Sequence, residues 1–232
     1  MLDLRPFASL GQFQNDWLTA RYHFSFSNYY DPQRSGWGPL LVWNDDTIRA
    51  GTGFAPHGHR DMEIITYVRT GAISHGDDKG NNGITRAGEV QVMSAGSGIR
   101  HSEVNRERED TTLFQIWIEP HTANLTPRWE QRQFPGAEGA HSLVPLVSGR
   151  GLPDTMTIAQ DATLWVGHLE AGQRLDAALR DGAGYLVGVT GTLRVNGVEM
   201  SARDGLAILE EPGLVIEAAG PASFVLADLP RQ

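Results

Sequence analysis

Short runs of β-branched and aromatic residues alternate with turn-forming residues along the whole chain. Such runs lie at residues 40–43, 63–68, 113–118, 163–166 and 185–189. Residues 89–93 alternate polar and apolar side chains, which predicts a strand with one buried face. Strands this short, separated by glycines, are typical of a sandwich or barrel rather than an α/β fold. The predicted fold class is therefore all-β.

One hairpin and one helix complete the predicted elements. Asn196-Gly197 is the preferred residue pair of a type I′ turn, and it separates two apolar runs at 192–195 and 198–200. Residues 173–180 are the one segment whose pattern we interpret as a short helix.

The second half of the chain repeats the pattern of the first. Residues 67–73 resemble 188–193, and residues 87–92 resemble 204–209. A loose segment containing proline and glycine joins the halves. We therefore predict two β-barrels in tandem, one from residues 1–135 and one from residues 136–232.

Four side chains able to bind a metal occur as two pairs in the first half. His57 and His59 form one pair, and His101 and Glu103 form the other, each with one residue between its members. Alternate residues of a strand project from the same face. Two neighbouring strands would therefore bring the four side chains together as a metal site.

Three imidazoles and one carboxylate suit a divalent transition metal better than calcium or magnesium, which prefer oxygen ligands. Four protein ligands leave two positions open on a six-coordinate ion, and open positions distinguish catalytic from structural sites. Iron(II) is the first choice; manganese, nickel, copper and zinc remain alternatives, and redox-inert zinc would indicate hydrolysis or a structural role.

The second barrel is predicted to lack this site. Counting from the repeated glycines, the four ligand positions correspond to Ala177, Leu179, Ala218 and Gly220. None of these side chains binds a metal.

Glu63 and the other histidines receive other predictions. Glu63 lies on the same predicted face as His59 and is given a supporting role rather than ligation. His23 is predicted to pack among aromatic residues, and His75, next to a polar turn, to lie on the surface. The remaining histidines are treated as structural, namely His121, His141 and His168.

Composition limits the classes of function. The chain has 232 residues, no cysteine and a formal charge of −9. The absence of cysteine excludes disulfides and thiolate metal sites and fits a cytoplasmic location. The negative charge disfavours direct binding to nucleic acid. No apolar run is long enough to span a membrane, and we see no secretory signal at the start.

The segment around the histidines resembles a known family. Gly51-x5-His57-x-His59-x3-Glu63 resembles the first cupin motif, and Gly98-x2-His101-x3-Asn105 resembles the end of the second. A longer spacing from Glu63 to Gly71 and Ser94 in place of a proline are departures that the pirin branch of the cupins shows. Residues 57–68 and 93–103 closely resemble bacterial pirin-like proteins, and the resemblance covers nearly the whole chain.

This resemblance implies a bicupin, two jelly-roll barrels with few short helices and one metal in the N-terminal barrel. The residues that match the family's ligands are His57, His59, His101 and Glu103. It implies quercetin 2,3-dioxygenase activity, in which dioxygen opens the flavonol ring and carbon monoxide is released. Glu103 is the candidate base for the flavonol 3-hydroxyl, with Glu63 as the alternative.

A second class of function stays open. Pirins also act in eukaryotes as regulators that bind other proteins, so the chain could be a metal-binding regulatory protein with incidental flavonol turnover. The expected partners are a small aromatic, flavonol-like substrate and dioxygen, with room for a protein partner.

Overall fold

The computed structural model describes residues 1–134 and 141–231, and within these ranges the chain is almost entirely β-structure. Two short 3-10 helices lie at Phe7–Ser9 and Pro32–Arg34. No helix in the described ranges is long and apolar enough to cross a membrane. The prediction of an all-β chain is confirmed. The predicted boundary between residues 135 and 136 falls outside the described residues.

The first half contributes twelve of the strands in the described ranges. They are β1 (Leu2–Arg5), β2 (Gly11–Gln14), β3 (Leu18–Tyr22), β4 (Leu40–Ile48), β5 (Gly53–His59), β6 (Glu63–Thr70), β7 (Ala72–Asp77), β8 (Asn82–Arg86), β9 (Glu89–Ser94), β10 (Ile99–Val104), β11 (Thr111–Ile118) and β12 (Arg128–Gln133). A seven-stranded sheet, ordered β12-β9-β6-β11-β4-β3-β2, and a four-stranded sheet, ordered β5-β10-β7-β8, form the first barrel.

The second half repeats this arrangement. Its strands are β13 (Ser142–Ser148), β14 (Met156–Thr157), β15 (Thr163–Leu169), β16 (Arg174–Ala178), β17 (Ala183–Thr190), β18 (Thr192–Val195), β19 (Val198–Ser201), β20 (Gly205–Leu209), β21 (Gly213–Ala218) and β22 (Ala222–Leu229). The sheets are ordered β1-β20-β17-β22-β15-β13-β14 and β16-β21-β18-β19. The predicted hairpin joins β18 to β19, and both Asn196 and Gly197 have positive φ, as a type I′ turn requires.

The predicted helix at residues 173–180 is wrong. This segment forms β16, which pairs with β21 along its whole length, Arg174 opposite Glu217 and Ala178 opposite Gly213. Ala177 is buried while Asp176 is exposed. Pairing along a whole sheet edge outweighs the weak helix preference of a segment this short.

The first strand joins the sheet of the second barrel. β1 pairs with β20 in antiparallel register, with Leu2 opposite Ile208 and Arg5 opposite Gly205. The N-terminal segment therefore completes an edge of the C-terminal sheet, a crossing that the division at residue 135 does not anticipate.

The two large sheets pack against each other, so the barrels share one core. Trp43 and Phe114 of the first barrel and Tyr185 and Val225 of the second belong to one buried cluster. An ion-pair group also crosses this interface, because Asp45 accepts hydrogen bonds from Arg69 and from Arg203 of the second barrel.

Candidate metal centre

The two histidine-bearing strands are neighbours. β10 pairs with β5 on one side, with His57 directly opposite His101, and with β7 on the other side. Because the strands pair in this register, the side chains of His57, His59 and His101 project into the same region of the first barrel.

The three imidazoles lie close enough to share an ion. Their nitrogen ligand atoms are all within 4.8 Å of one another. Nδ1 of His57 lies 2.8 Å from the carbonyl oxygen of Ala55, a contact in which Nδ1–H donates and Nε2 keeps its lone pair. His101 is only 2% exposed, and its Nε2 has no hydrogen-bond partner. A buried nitrogen left unpaired among two other imidazoles fits a metal-binding position.

Burial keeps the rings of His59 and His101 neutral. It lowers the pKa of His101 to about 2, with a further contribution from His57 and His59, and lowers the pKa of His59 to about 4. Metal ions bind the neutral form of imidazole, so these two rings do not have to lose a proton first near neutral pH.

Glu103 lies beside this group but is not a member of it. Its carboxylate accepts hydrogen bonds from Nε2 of Gln91 at 2.5 Å, Nε2 of Gln115 at 2.7 Å and Oγ1 of Thr66 at 3.4 Å. The pairing of β10 with β5 shifts register between His101 and Glu103. Burial raises the pKa of Glu103 to about 7, although the three hydrogen bonds oppose this shift.

Glu63 has different neighbours. Oγ of Ser94 donates to its Oε2 at 2.5 Å, and Nη2 of Arg128 lies 3.9 Å from the same oxygen. Burial raises the pKa of Glu63, opposed by these two groups. It is not part of the histidine group, so the structure brings together three of the five sequence-predicted site residues.

The prediction that His75 lies on the surface is wrong. His75 is 4% exposed, its ring stacks on Trp129 at 4.8 Å, and burial lowers its pKa. Its Nε2 is 3.0 Å from Oδ2 of Asp77, and its Nδ1 is 3.4 Å from Nδ1 of His101. β7 pairs with β10 so that His75 lies opposite Glu103, and its side chain faces the barrel interior. The surface prediction was based on the polar turn that follows His75 in the sequence.

Sequence reasoning therefore missed a residue pair next to the site. His75 and Asp77 have the same one-residue spacing as the two predicted ligand pairs, and that spacing was the signal that could have found them. Burial alone would raise the pKa of Asp77, but hydrogen bonds from His75 and from Asn81 give a net lowering.

The remaining histidines are not in the group. His23 is fully buried, with Nδ1 2.9 Å from Oη of Tyr185 and its ring near Trp43, so the prediction of aromatic packing is confirmed. His121 and His141 are exposed, and His168 lies on β15.

Aromatic rings surround the histidines. The ring of Trp117 lies edge-on to the ring of His59, with 4.9 Å between the ring centroids. The ring of Phe26 lies edge-on to that of Trp117, with 5.4 Å between the centroids. Phe54 lies 6.1 Å from His57. All three side chains are partly exposed, so they offer apolar surface at the site.

In the second barrel apolar side chains fill the interior. Ala177, Leu179 and Ala218 are buried in a cluster with leucines, Met200 and Ile216. Within residues 1–134 and 141–231, the one group of three or more close metal-binding side chains is His57, His59 and His101.

Two family matches cover both barrels. Residues 4–118 match the pirin family, and residues 145–229 match the family described as quercetinase C-terminal cupin domain. The chain belongs to the pirin family. Pirin relatives align over nearly their whole length, which confirms both the resemblance and the two-cupin architecture.

A Pseudomonas aeruginosa protein provisionally named quercetin 2,3-dioxygenase is 52% identical over 231 residues, covering 99% of this chain and 100% of that protein. Escherichia coli K12 quercetin 2,3-dioxygenase is 40% identical over 233 residues, covering 99% of each chain. The crystal structure of the E. coli pirin YhhW with nickel(II) superimposes with a TM-score of 0.95, at 39% identity and 100% coverage of both chains.

The three histidines of this chain are suitable ligands for a transition metal such as nickel(II). Imidazole suits zinc, copper, iron and nickel alike, so three histidines specify a transition metal without selecting one.

Proposed function

We propose that this chain is a metal-dependent dioxygenase that opens the flavonol ring of quercetin with dioxygen and releases carbon monoxide. The observation that carries the proposal is the convergence of three imidazoles, one with an unpaired buried Nε2, beside the buried carboxylate of Glu103. The names of the relatives support the same class of reaction.

In this proposal His57, His59 and His101 hold the metal, with iron(II) as the first choice. A bound iron(II) ion would supply Lewis acidity toward the flavonol and electron exchange with dioxygen. Glu103 would be the fourth ligand once it exchanges hydrogen bonds with Gln91 or Gln115. The centre belongs to the proposed domain 1–135, and the proposed domain 136–232 would hold no metal.

Glu103 is also the proposed base. It is two residues from His101 on the same strand, and its oxygens accept hydrogen bonds from the side chains of Gln91 and Gln115. A carboxylate with a pKa near neutrality is suited to accept a proton from the flavonol 3-hydroxyl. Glu63 is the alternative base, since it is a second buried carboxylate of the first barrel.

The aromatic residues beside the histidines would bind the substrate. Trp117, Phe26 and Phe54 provide flat apolar faces, and flavonol rings are flat and apolar with polar edges. Packing between rings would orient the substrate while excluding water from the proton transfer.

The proposal is tested with protein purified without oxygen and loaded with iron(II). We expect carbon monoxide to be released from quercetin in the presence of dioxygen. His101→Ala should lose both metal and turnover, whereas His121→Ala, at an exposed histidine outside the group, should keep both. Fully loaded wild-type protein that releases no carbon monoxide would contradict the enzyme proposal and favour the regulatory class.

A further inference from the structure

Three side chains form a hydrogen-bonded series that ends at the candidate metal centre. Oδ2 of Asp77 lies 3.0 Å from Nε2 of His75, and Nδ1 of His75 lies 3.4 Å from Nδ1 of His101. All three side chains are buried, so water does not compete for these contacts.

Asp77 determines which nitrogen donates and which accepts in each of these hydrogen bonds. An ionised carboxylate can only accept a hydrogen bond, so Nε2 of His75 carries a proton and its Nε2–H group donates a hydrogen bond to Asp77. A neutral imidazole has one proton, and Nδ1 of His75 is then an acceptor. Nδ1–H of His101 donates to it, which leaves Nε2 of His101 bare. That Nε2 is the buried nitrogen without a partner.

We propose that Asp77 and His75 are positioning residues that set the tautomer of His101 and so present its Nε2 to the metal. The inference rests on the proposed metal-binding function of the three histidines.

The surroundings fix both positioning residues. The ring of His75 stacks on Trp129 with 9° between the planes, which fixes the plane of the ring. Oδ1 of Asp77 accepts from the backbone N–H groups of Lys79 at 2.9 Å and Asn81 at 3.0 Å. Oδ2 of Asp77 accepts from Nδ2 of Asn81 at 2.9 Å as well as from Nε2 of His75. The orientation of the carboxylate is therefore set by the following turn, with Oδ2 beside His75.

This arrangement makes Asp77→Asn a sharp test. In the variant the amide oxygen must still accept from the two backbone N–H groups, which cannot reverse. The NH₂ group therefore takes the place of Oδ2 beside His75, and the side-chain amide of Asn81, which can turn over, presents its oxygen there. A donor at that position requires a bare Nε2 on His75 and moves its proton to Nδ1. His75 then donates to Nδ1 of His101, which must carry its own proton on Nε2, the nitrogen that the metal needs.

The first readout is the tautomer itself, in metal-free protein. ¹⁵N NMR separates protonated from bare ring nitrogens. We expect the proton of His101 on Nδ1 in wild type and on Nε2 in Asp77→Asn. The same tautomer in both proteins would overturn the proposal.

The second readout is nickel(II) affinity, measured by calorimetry. Loss of a group that orients a ligand typically weakens binding about 10–100-fold, and we expect that range for Asp77→Asn. Asp78→Asn is the matched control, because it removes a neighbouring, half-exposed charge without touching His75, and it should bind as wild type does. Equal losses in the two variants would attribute the effect to charge and overturn the proposal.

A double variant separates the tautomer from damage to the turn. His75→Phe keeps a ring against Trp129, but this ring has no nitrogen atoms. It cannot form hydrogen bonds with residue 77 or His101, so residue 77 can no longer affect the tautomer of His101 through it. Asp77→Asn with His75→Phe should therefore bind nickel(II) as His75→Phe alone does. If adding Asp77→Asn to His75→Phe weakened binding as much as Asp77→Asn does in wild type, Asp77 would act through the turn and not through His75, which would overturn the proposal. If wild type bound no metal, the proposed function would fail, while the NMR comparison would still decide the tautomer.

Discussion

His23 is fully buried where the two barrels meet, and its replacement by asparagine tests how this burial affects acid stability. Burial lowers the pKa of His23 to about 3, with contributions from the positive charges of Arg5, Arg34 and Arg203. The histidine of an unfolded chain has a pKa of about 6.5. Between these values the unfolded chain binds a proton that the folded chain does not, so stability is complete above about pH 6.5 and falls as the pH is lowered toward about 3.

The size of the effect follows from the two pKa values. One pKa unit corresponds to about 1.4 kcal/mol, so the whole effect approaches about 5 kcal/mol. About 3 kcal/mol of it develops between pH 7 and pH 4. This is a large part of the free energy of unfolding of an ordinary domain, which is about 5–15 kcal/mol.

The assay is urea unfolding of metal-free protein at several pH values from 7 to 4. His23→Asn cannot titrate, and its side-chain oxygen can still accept from Tyr185. We expect the variant to be less stable at pH 7 but to lose about 3 kcal/mol less than wild type on acidification. Tyr185→Phe is the matched control, since it removes the hydrogen bond at 2.9 Å and keeps the histidine. Parallel pH profiles for wild type and His23→Asn would refute the reasoning.

Three further predictions concern the centre and the interface. Glu103→Gln should keep much of the metal, because three imidazoles remain, and lose about 10²–10⁴-fold in turnover; near-normal release of carbon monoxide would exclude Glu103 as the base. Elemental analysis should find one transition metal per chain, because Ala177, Leu179 and Ala218 occupy the second barrel; two equivalents, one of them surviving His57→Ala, would contradict this. Gly205→Ala should cost about 1–3 kcal/mol of stability in urea unfolding, since the added methyl group would overlap Oη of Tyr185 and Nδ1 of His23. Gly213→Ala, where the methyl group meets no atom within 4 Å, is its control and should change stability by less than about 0.5 kcal/mol; equal losses would mean that crowding at Gly205 is not the cause.

Local pattern was enough to predict the central strands β4, β6 and β11 and the histidine group, whereas β12 and β13 lie in the segment predicted to be a loose connector. Side chains alternate along a strand, so His57 and His59 must share a face, and pairing with β10 supplies His101. The same reasoning failed at residues 173–180, where the strand depends on a partner about 40 positions away, Glu217 opposite Arg174. The intrinsic preference of these residues for a helix or a strand is weak, so pairing with β21 determines that the segment forms a strand.

The environment of the candidate base could not be read from the sequence. Glu103 is held by Gln91 and Gln115, which come from β9 and β11 of the facing sheet. Neither glutamine lies in a recognisable motif. His75 was misplaced for a related reason, since its burial depends on Trp129 of β12, far along the chain.

The pairing of β1 with β20 has a consequence for how the protein is made. Leu2 emerges from the ribosome about 200 residues before its partner Ile208. The sheets of the first barrel do not contain β1, so this barrel can form while β1 is still unpaired. The second barrel cannot complete the edge of its large sheet until β1 pairs with β20. Cutting the gene at the proposed domain boundary would therefore not yield two independent halves, because the C-terminal fragment would expose β20 as an open edge prone to pairing with other chains.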